Sequence, residues 1–435
     1  MKTKKLAARF FLMVVLVALV LVTSLSVFAQ EQVTITVWMH NHQPRVPLDE
    51  ANIARFEAEN PDVDVQLVII ENAEFDTRLN TGLASGQGPD VFNQWTAYIG
   101  QFYQSGLLAP VDPVAFGVDS IEDIYALYGE AGETFLAGAT FDGVLYGIPT
   151  ELSIYGCYAN NDLFREAGLD PETDFPRTWE EMQVAAEQLT VRDANGVPVR
   201  RGYDFPWTSP VFMYLVFEPM VAQLGLRIVD DLELTVNLNN EPVMQVMQYW
   251  YDWVNTWNLG GPQYTDSRTA FWNGELAIDC LQGNWGVPLI EEAGIDWSLH
   301  PAPRWENAVN DNGFALYAYF LMVNAFSSPE KQEAGWRLIR YLTDTPEEAL
   351  TQAGLFQPRV DLVESEVFLN DPVMPLFLEE MSKSFYTPLV PGWSESAAAL
   401  ARARDRIVLN NEDMATVLAE TEQEMMDIIA RAAGR

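Results

Sequence analysis

The chain has 435 residues and a formal net charge of −37 at pH 7, because 62 Asp and Glu residues outnumber 25 Lys and Arg residues. This excess of negative charge argues against binding to nucleic acid or to anionic membrane surfaces. Hydrophobic residues make up 49% of the chain and aromatic residues 12%, enough for a large core, and the length exceeds the usual size of one core, which predicts two lobes.

The first 29 residues have the parts of a secretory signal. Four Lys and Arg residues precede an unbroken apolar run from Phe10 to Val22, and Val27-Phe28-Ala29 offers a small-residue cleavage site. We therefore expect a signal peptide over residues 1–29 and secretion of the mature chain. No Cys follows the cleavage site to carry a lipid anchor, so the sequence leaves open how the protein is retained at a cell surface.

The segments that follow alternate between strand and helix patterns. Val33–Trp38 reads as a strand, Ile53 and Phe56 share one face of a helix, residues 63–67 form a second strand, and a second helix covers 75–83. This order of strands and helices predicts a mainly parallel sheet with helices on both faces.

The stretch GQGPDVFNQW at 86–95 predicts a glycine-rich turn, a strand over 90–92 and a polar–aromatic cluster after it. Ligands of open α/β sheets bind at the carboxyl ends of strands, so Asn93, Gln94 and Trp95 would face a crevice. Amides bond to hydroxyls and an indole packs on the apolar face of a sugar ring, so the cluster suits a carbohydrate. The alternative is a buried Trp beside two loop amides.

This stretch, followed by QSGLLAPV at 104–111, resembles the sugar-binding family of extracellular solute-binding proteins, which serve ATP-binding-cassette importers. The resemblance continues through YGIPTE at 146–151, GNWG at 283–286 and LFQPR at 355–359, and so covers essentially the whole mature chain. It implies the two-lobed α/β fold of periplasmic binding proteins, in which each lobe is a mainly parallel sheet flanked by helices and several strands form the hinge.

The resemblance also implies a division of the chain between the lobes. The first lobe would comprise residues 30–149 and 312–356, and the second lobe residues 150–311 and 357–435. In this scheme Glu151 and Arg359 lie at two crossings between the lobes.

Candidate ligand-binding residues follow from the predicted strand ends and from the resemblance. They are Trp38, His40, Asn41, Asn93, Gln94, Trp95, Glu151, Asp204, Trp207, Asn284, Trp285, Asn312, Arg359 and Trp393. Trp285 is expected to stack on a sugar, or else to cover the crevice floor. Arg359 either donates paired hydrogen bonds to the ligand or forms a salt bridge that fixes the hinge.

The sequence favours a binding protein over an enzyme. It has no Walker loop, no G-x-S-x-G and no H-E-x-x-H motif. His40 and His42 alternate along an extended segment and would point to opposite sides, so no metal site and no cofactor are expected. Cys157 and Cys280 could form a disulfide or stay as two buried thiols.

The resulting prediction is a secreted monomer on the periplasmic or extracellular side of a bacterial membrane. It would capture a sugar or oligosaccharide between closing lobes and deliver it to the permease subunits of an ATP-binding-cassette importer, without binding nucleic acid. The alternatives are a secreted glycosidase or lyase and a cell-surface carbohydrate-binding module. The identity, length and linkage of the sugar stay open.

Overall fold

A computed structural model describes residues 32–230 and 233–434. The predicted signal peptide lies outside the described residues. The strands are β1 (Val33–His40), β2 (Val63–Ile70), β3 (Val91–Trp95), β4 (Thr140–Phe141), β5 (Val144–Leu145), β6 (Ile148–Ser153), β7 (Gly156–Asn160), β8 (Val191–Arg192), β9 (Pro198–Tyr203), β10 (Val229–Asp230), β11 (Thr235–Val236), β12 (Leu276–Gln282), β13 (Trp297–His300) and β14 (Tyr317–Val323).

The helices are α1 (Val46–Glu59), α2 (Asn72–Ser85), α3 (Thr96–Gln104), α4 (Pro113–Phe116), α5 (Ile121–Ala126), α6 (Gly132–Leu136), α7 (Asn161–Glu166), α8 (Trp179–Leu189), α9 (Pro210–Gln223), α10 (Glu241–Asn255), α11 (Ser267–Trp272), α12 (Val287–Glu292), α13 (Pro329–Leu342), α14 (Pro346–Ala353), α15 (Val360–Val363), α16 (Glu366–Leu369), α17 (Met374–Ser382), α18 (Trp393–Val408) and α19 (Met414–Ala432). Short 3-10 turns cover Gly129–Ala131, Ala137–Ala139 and Asn284–Gly286. Among the described residues, no helix is both long enough and apolar enough to cross a membrane.

The first lobe is built on a five-stranded sheet in the order β2-β1-β3-β14-β6. β1 is parallel to β2 and to β3, whereas β14 is antiparallel to both of its neighbours. Helices α2 and α13 contact β1, and α1 packs against α13. The carboxyl ends of β1 and β3 and the first residue of β14 therefore meet at one edge of this sheet.

The second lobe contains a five-stranded sheet in the order β13-β7-β12-β9-β8. Its strand directions are mixed: β9 and β12 are parallel, while β7 is antiparallel to β12 and β13, so the prediction of a mainly parallel sheet is wrong for this lobe. A disulfide between Cys157 and Cys280 joins β7 to β12, which settles the alternative that the sequence left open. Trp250 and Trp253 on α10 are fully buried.

The chain passes between the sheets near residues 154–155 and again between β13 and β14. β6 belongs to the first sheet up to Ser153, four residues beyond the predicted boundary at 149. The segment at 355–359, which the sequence predicted as the last crossing between the lobes, is hydrogen-bonded to β6. The Leu152 N–H donates to the Phe356 carbonyl at 2.8 Å, and Gln357 Nε2 donates to the Thr150 carbonyl at 3.1 Å. Helix α18 packs on α9, α10 and α19, and also contacts α3 of the first lobe.

Candidate functional site

A cavity of about 510 Å³ lies where the two lobes meet, and we call it the cleft. Its first-lobe lining comprises residues 40–44, Asn72, Trp95, Glu151, Tyr317, Tyr319 and Ala353. Its other lining residues are Tyr155 on the crossing and, from the second lobe, Phe212, Arg268, Trp285, Pro288 and Leu289. The ends of β1 and β3 and the start of β14 reach the cleft together because they share one edge of the sheet.

The His40 side chain is fixed at the end of β1. Its backbone N–H donates to Asn93 Oδ1 at 3.1 Å, and Asn93 Nδ2 lies 2.7 Å from His40 Nδ1. The ring also stacks on Tyr319 with 4.0 Å between centroids. Because Asn93 Nδ2 can only donate, His40 Nδ1 accepts and the proton of the neutral ring is on Nε2. Burial holds the pKa of His40 well below its usual range, so the ring stays neutral at pH 7.

Aromatic side chains from both lobes approach each other across the cleft. The Trp95 ring, from the first lobe, lies 6.5 Å from Phe212 and 6.3 Å from Tyr317 between centroids. Trp285 Nε1 of the second lobe donates to the Tyr317 hydroxyl of the first. Trp95 and Trp285 are each partly exposed, which leaves ring surface available to a ligand.

Gly283, two residues before Trp285, permits this close approach of the lobes. A Cβ at this position would lie 2.4 Å from Ser153 Oγ and 2.8 Å from the Tyr317 hydroxyl. Both distances are too short for any side chain. Glycine therefore lets the end of β12 reach the first lobe.

Arg268 forms part of the second-lobe wall. Its guanidinium lies 5.1 Å from the Phe212 ring centroid and 4.8 Å from that of Trp285, and Nη2 donates to the Leu281 carbonyl at 2.5 Å. The buried Asp279 carboxylate lies nearby and senses this positive charge. Arg268 therefore supports the two aromatic rings by cation–π contact.

Glu151 brings a carboxyl group to the cleft from β6. The residue is 5% exposed, and within residues 32–230 and 233–434 its side chain makes neither an ion pair nor a hydrogen bond. Burial raises the pKa of this carboxyl to about 7, while the positive charge of Arg45 opposes the rise. A ligand that donates hydrogen bonds here would replace the solvation the carboxylate has lost.

The structure brings five of the predicted site residues together. His40, Asn41, Trp95, Glu151 and Trp285 all line the cleft. They come from the ends of β1 and β3, from β6 and from the turn after β12. Their roles as ligand contacts remain predictions.

Three first-lobe candidates lie outside the cleft because of strand register. β3 continues through Trp95, and Asn93 and Gln94 pair within the sheet with Leu321 and Phe320 of β14. The Asn93 side chain holds His40 instead, and Gln94 Nε2 donates to Asp76 at 3.0 Å. The prediction that the strand ends at Phe92 is therefore corrected.

Trp38, the third of these candidates, packs against α2. The Arg78 guanidinium lies 5.7 Å from its ring, and its ring atoms pack tightly over Gly82. It lies in the middle of β1, opposite Val68 of β2, rather than at the strand end that opens on the cleft.

Asp204 and Trp207 belong to the interior of the second lobe. Asp204 is 1% exposed and accepts from Arg201 Nη1 at 2.5 Å, from Trp207 Nε1 at 2.7 Å and from the Gly261 N–H at 3.1 Å. The Trp207 ring packs edge-on against Trp250. The loop at Gly261 and helix α10 cover the strand end that the sequence predicted to be open.

Asn284 makes contacts between the lobes rather than lining the cleft. Its Oδ1 accepts from Ser153 Oγ at 2.8 Å, and its Nδ2 donates to the Gly354 carbonyl at 2.5 Å. Asn312 lies in the second lobe, where its backbone carbonyl accepts from Gln223 Nε2 at 2.9 Å.

Arg359 and Trp393 are also away from the cleft. Arg359 pairs with Asp361 at 2.7 Å and donates to the Thr343 carbonyl at 3.1 Å, and a role of this salt bridge in fixing the hinge stays a prediction. Trp393 is 2% exposed and packs edge-on against Tyr214. Neither side chain lines the cleft.

Sequence reasoning missed several cleft residues. They are His42, Gln43, Asn72, Tyr155, Phe212, Arg268, Tyr317 and Tyr319, together with apolar neighbours. Tyr155 could have been found, because it lies four residues after Glu151 on the predicted crossing. Arg268 carries no sequence signal, since it lies on the short helix α11 before β12.

The two histidines make different contacts, although both line the cleft. His40 contacts Asn93, whereas His42 Nε2 lies 2.8 Å from the Ala353 carbonyl, to which it donates. Within the part of the chain that the structure describes, no group of three or more His, Cys, Asp or Glu side chains is arranged to hold a metal ion.

Comparison with known proteins identifies a matching protein family and a relative that covers most of the chain. The family model of bacterial extracellular solute-binding proteins matches residues 42–349. A maltotriose-binding protein of Pyrococcus abyssi is 21% identical over 400 residues, which are 90% of this chain and 82% of that protein.

Solved structures of the same architecture match nearly the whole chain. An ABC substrate-binding protein of Listeria monocytogenes in complex with cycloalternan has a TM-score of 0.76 at 18% identity, over 91% of this chain and 98% of that one. A solute-binding protein of Thermotoga lettingae bound with α-D-tagatose also has a TM-score of 0.76, at 20% identity, over 92% of this chain and 100% of that one. At these identities the match establishes the fold.

Proposed function

Since this chain belongs to the family of bacterial extracellular solute-binding proteins, we propose that it captures a sugar or oligosaccharide in the cleft and delivers it to the membrane permease of an ATP-binding-cassette importer. Members of this family bind solutes, so the chain is a binding protein rather than an enzyme. The proposal includes secretion through residues 1–29 and action as a monomer.

The observation that carries the proposal is the composition of the cleft. Trp95 and Trp285 present partly exposed rings from opposite lobes, and Glu151 adds a carboxyl group without a partner among the described residues. Aromatic faces beside hydrogen-bonding groups suit the apolar faces and hydroxyls of a sugar. The volume of about 510 Å³ lies within the range of about 300–1,000 Å³ that is typical of small-molecule sites.

The mechanism we propose is ligand-driven closure. A ligand favours the closed state only through contacts that it makes better there than in the open state. A sugar held between Trp95 of the first lobe and Trp285 of the second would make such contacts, because each lobe alone offers half of the site. The closed form would then be the one that the permease recognises.

A thermal-shift screen tests the proposed ligand class. The mature chain is heated with neutral mono- and oligosaccharides and, in parallel, with amino acids and short peptides. A ligand that binds only the folded state at about 100 times its dissociation constant adds about 2.7 kcal/mol to the free energy of unfolding. We expect at least one sugar to raise the melting temperature by a few degrees. A shift with amino acids or peptides, and with no sugar, would contradict the proposal.

A further inference from the structure

The cleft contains an acidic group that forms no ion pair with any described residue. Glu151 lies on β6 at the junction of the lobes and forms no ion pair within residues 32–230 and 233–434. Arg45, the cation that most influences it, has Nε 3.0 Å from Asp49 Oδ2 and donates through Nη2 to the His40 carbonyl at 2.7 Å. Arg45 thus forms its ion pair with Asp49 and not with Glu151.

Arg268 is the only Lys or Arg residue among the described residues that line the cleft. Its Nη2 donates to the Leu281 carbonyl, and its guanidinium is stacked against the Phe212 and Trp285 rings. His40 and His42 both have a pKa lowered by burial and are neutral at pH 7. Burial also raises the pKa of the Tyr155 hydroxyl to about 12, so it is uncharged.

We propose that Glu151 makes the cleft selective for the charge of its ligand: it accepts sugars that are neutral or carry an amino group and rejects acidic sugars such as uronic acids and sugar phosphates. This inference rests on the proposed function and narrows it to a class of sugar. A hydroxyl or an ammonium group can donate to the buried carboxylate and restore the hydrogen bonds it lacks. A second carboxylate or a phosphate would instead be desolvated beside a like charge. The one guanidinium on the described cleft wall, that of Arg268, already donates to the Leu281 carbonyl and stacks on two aromatic rings.

The net charge of −37 acts in the same direction at longer range. A negative protein slows the approach of anionic ligands and favours that of cationic ones, and salt weakens this effect. The contribution of Glu151 is short-range and buried, so it should persist at high salt. Measurements at low and high salt therefore distinguish the effect of Glu151 from that of the net negative charge of the protein.

Matched sugars test the proposal by calorimetry at pH 7.5. The probes are D-glucose, D-glucosamine and D-glucuronate, and the corresponding galacto series, each titrated directly and in competition with the best neutral sugar of the thermal-shift screen. We expect the uronate to bind at least tenfold more weakly than its neutral parent, and the amino sugar to bind at least as tightly. The ratio should persist when the salt concentration is raised to about 0.5 M.

Glu151→Gln identifies the residue responsible. The amide keeps the shape but removes the charge, so the penalty on the uronate should fall severalfold and any advantage of the amino sugar should disappear. Glu74→Gln is the matched control, because Glu74 is an exposed carboxylate on α2 of the same lobe. It should leave both ratios within about twofold. Melting temperatures of both variants establish that they fold.

The outcomes separate the two proposals. Equal affinity for the uronate and its neutral parent, or an unchanged ratio in Glu151→Gln, would overturn the charge selectivity and leave sugar binding intact. Absence of binding by every neutral and amino sugar, with binding of a different solute class, would overturn the proposed function itself.

Discussion

Replacing both Cys157 and Cys280 by alanine should lower the free energy of unfolding by about 2–5 kcal/mol. The disulfide closes a loop with a sequence separation of 123, for which the loop-entropy model gives about 5 kcal/mol. It also joins β7, which follows Tyr155, to β12, which leads to Trp285. Urea denaturation followed by circular dichroism measures the change.

The single variants serve as controls for this prediction. Cys157→Ala and Cys280→Ala each break the same bond, so each should lose nearly as much stability as the double variant. Wild-type protein unfolded in the presence of a reductant should behave in the same way. A double variant that unfolds at the wild-type urea concentration would contradict a stabilising bridge.

Replacing Trp285 by alanine should weaken sugar binding by about 2 kcal/mol or more, which is about thirtyfold. The change removes an aromatic surface from the cleft and the hydrogen bond from Nε1 to Tyr317 of the other lobe. Buried aromatic anchors commonly contribute this much to a binding site. Calorimetry with the best sugar of the screen measures the loss.

Two variants separate stacking from general damage. Trp285→Phe keeps an aromatic face without the Nε1 donor, so it should recover part of the lost affinity. Trp272→Ala removes a similarly half-buried indole of the same lobe, which bonds to Gln282 at 2.9 Å outside the cleft, and should leave affinity nearly unchanged. An unchanged dissociation constant in Trp285→Ala would remove this residue from the site.

Much of the fold follows from local sequence patterns. The family resemblance and the two-lobed α/β fold predicted from the sequence are confirmed. The alternation in β1 and the helix faces around Phe56 are set by side chains close together in the chain, which is why they can be read locally. The mixed strand directions of the second lobe depend on pairings between distant segments and gave no such signal.

The same distinction between local patterns and long-range pairings explains which candidate residues line the cleft. His40 and Trp95 end β1 and β3, so the rule that ligands bind at strand ends placed them at the correct edge. Asn93 and Gln94 were misplaced because β14, more than 200 residues later, pairs with β3 and extends it through Trp95. A strand boundary set by so distant a partner cannot be read from the local sequence.

Other predicted site residues lie outside the cleft because later segments of the chain bury them. Trp207 follows β9 closely, but α10 and α18 cover it: Trp250 packs on its ring and the Arg404 guanidinium lies 5.4 Å away. Trp393 begins α18 and packs inward against Tyr214. An aromatic residue near a strand end therefore indicates a site only when no other element covers that end.

A crystal structure of the mature protein with the best sugar of the screen tests the central claim most directly. We expect one sugar bound between the lobes, in contact with Trp95 and Glu151 of the first lobe and with Trp285 of the second at the same time. Its hydroxyls should lie within hydrogen-bond distance, about 2.5–3.2 Å, of the Glu151 carboxylate. A sugar that contacts only one lobe, or that binds outside the cleft, would contradict ligand capture between the two lobes.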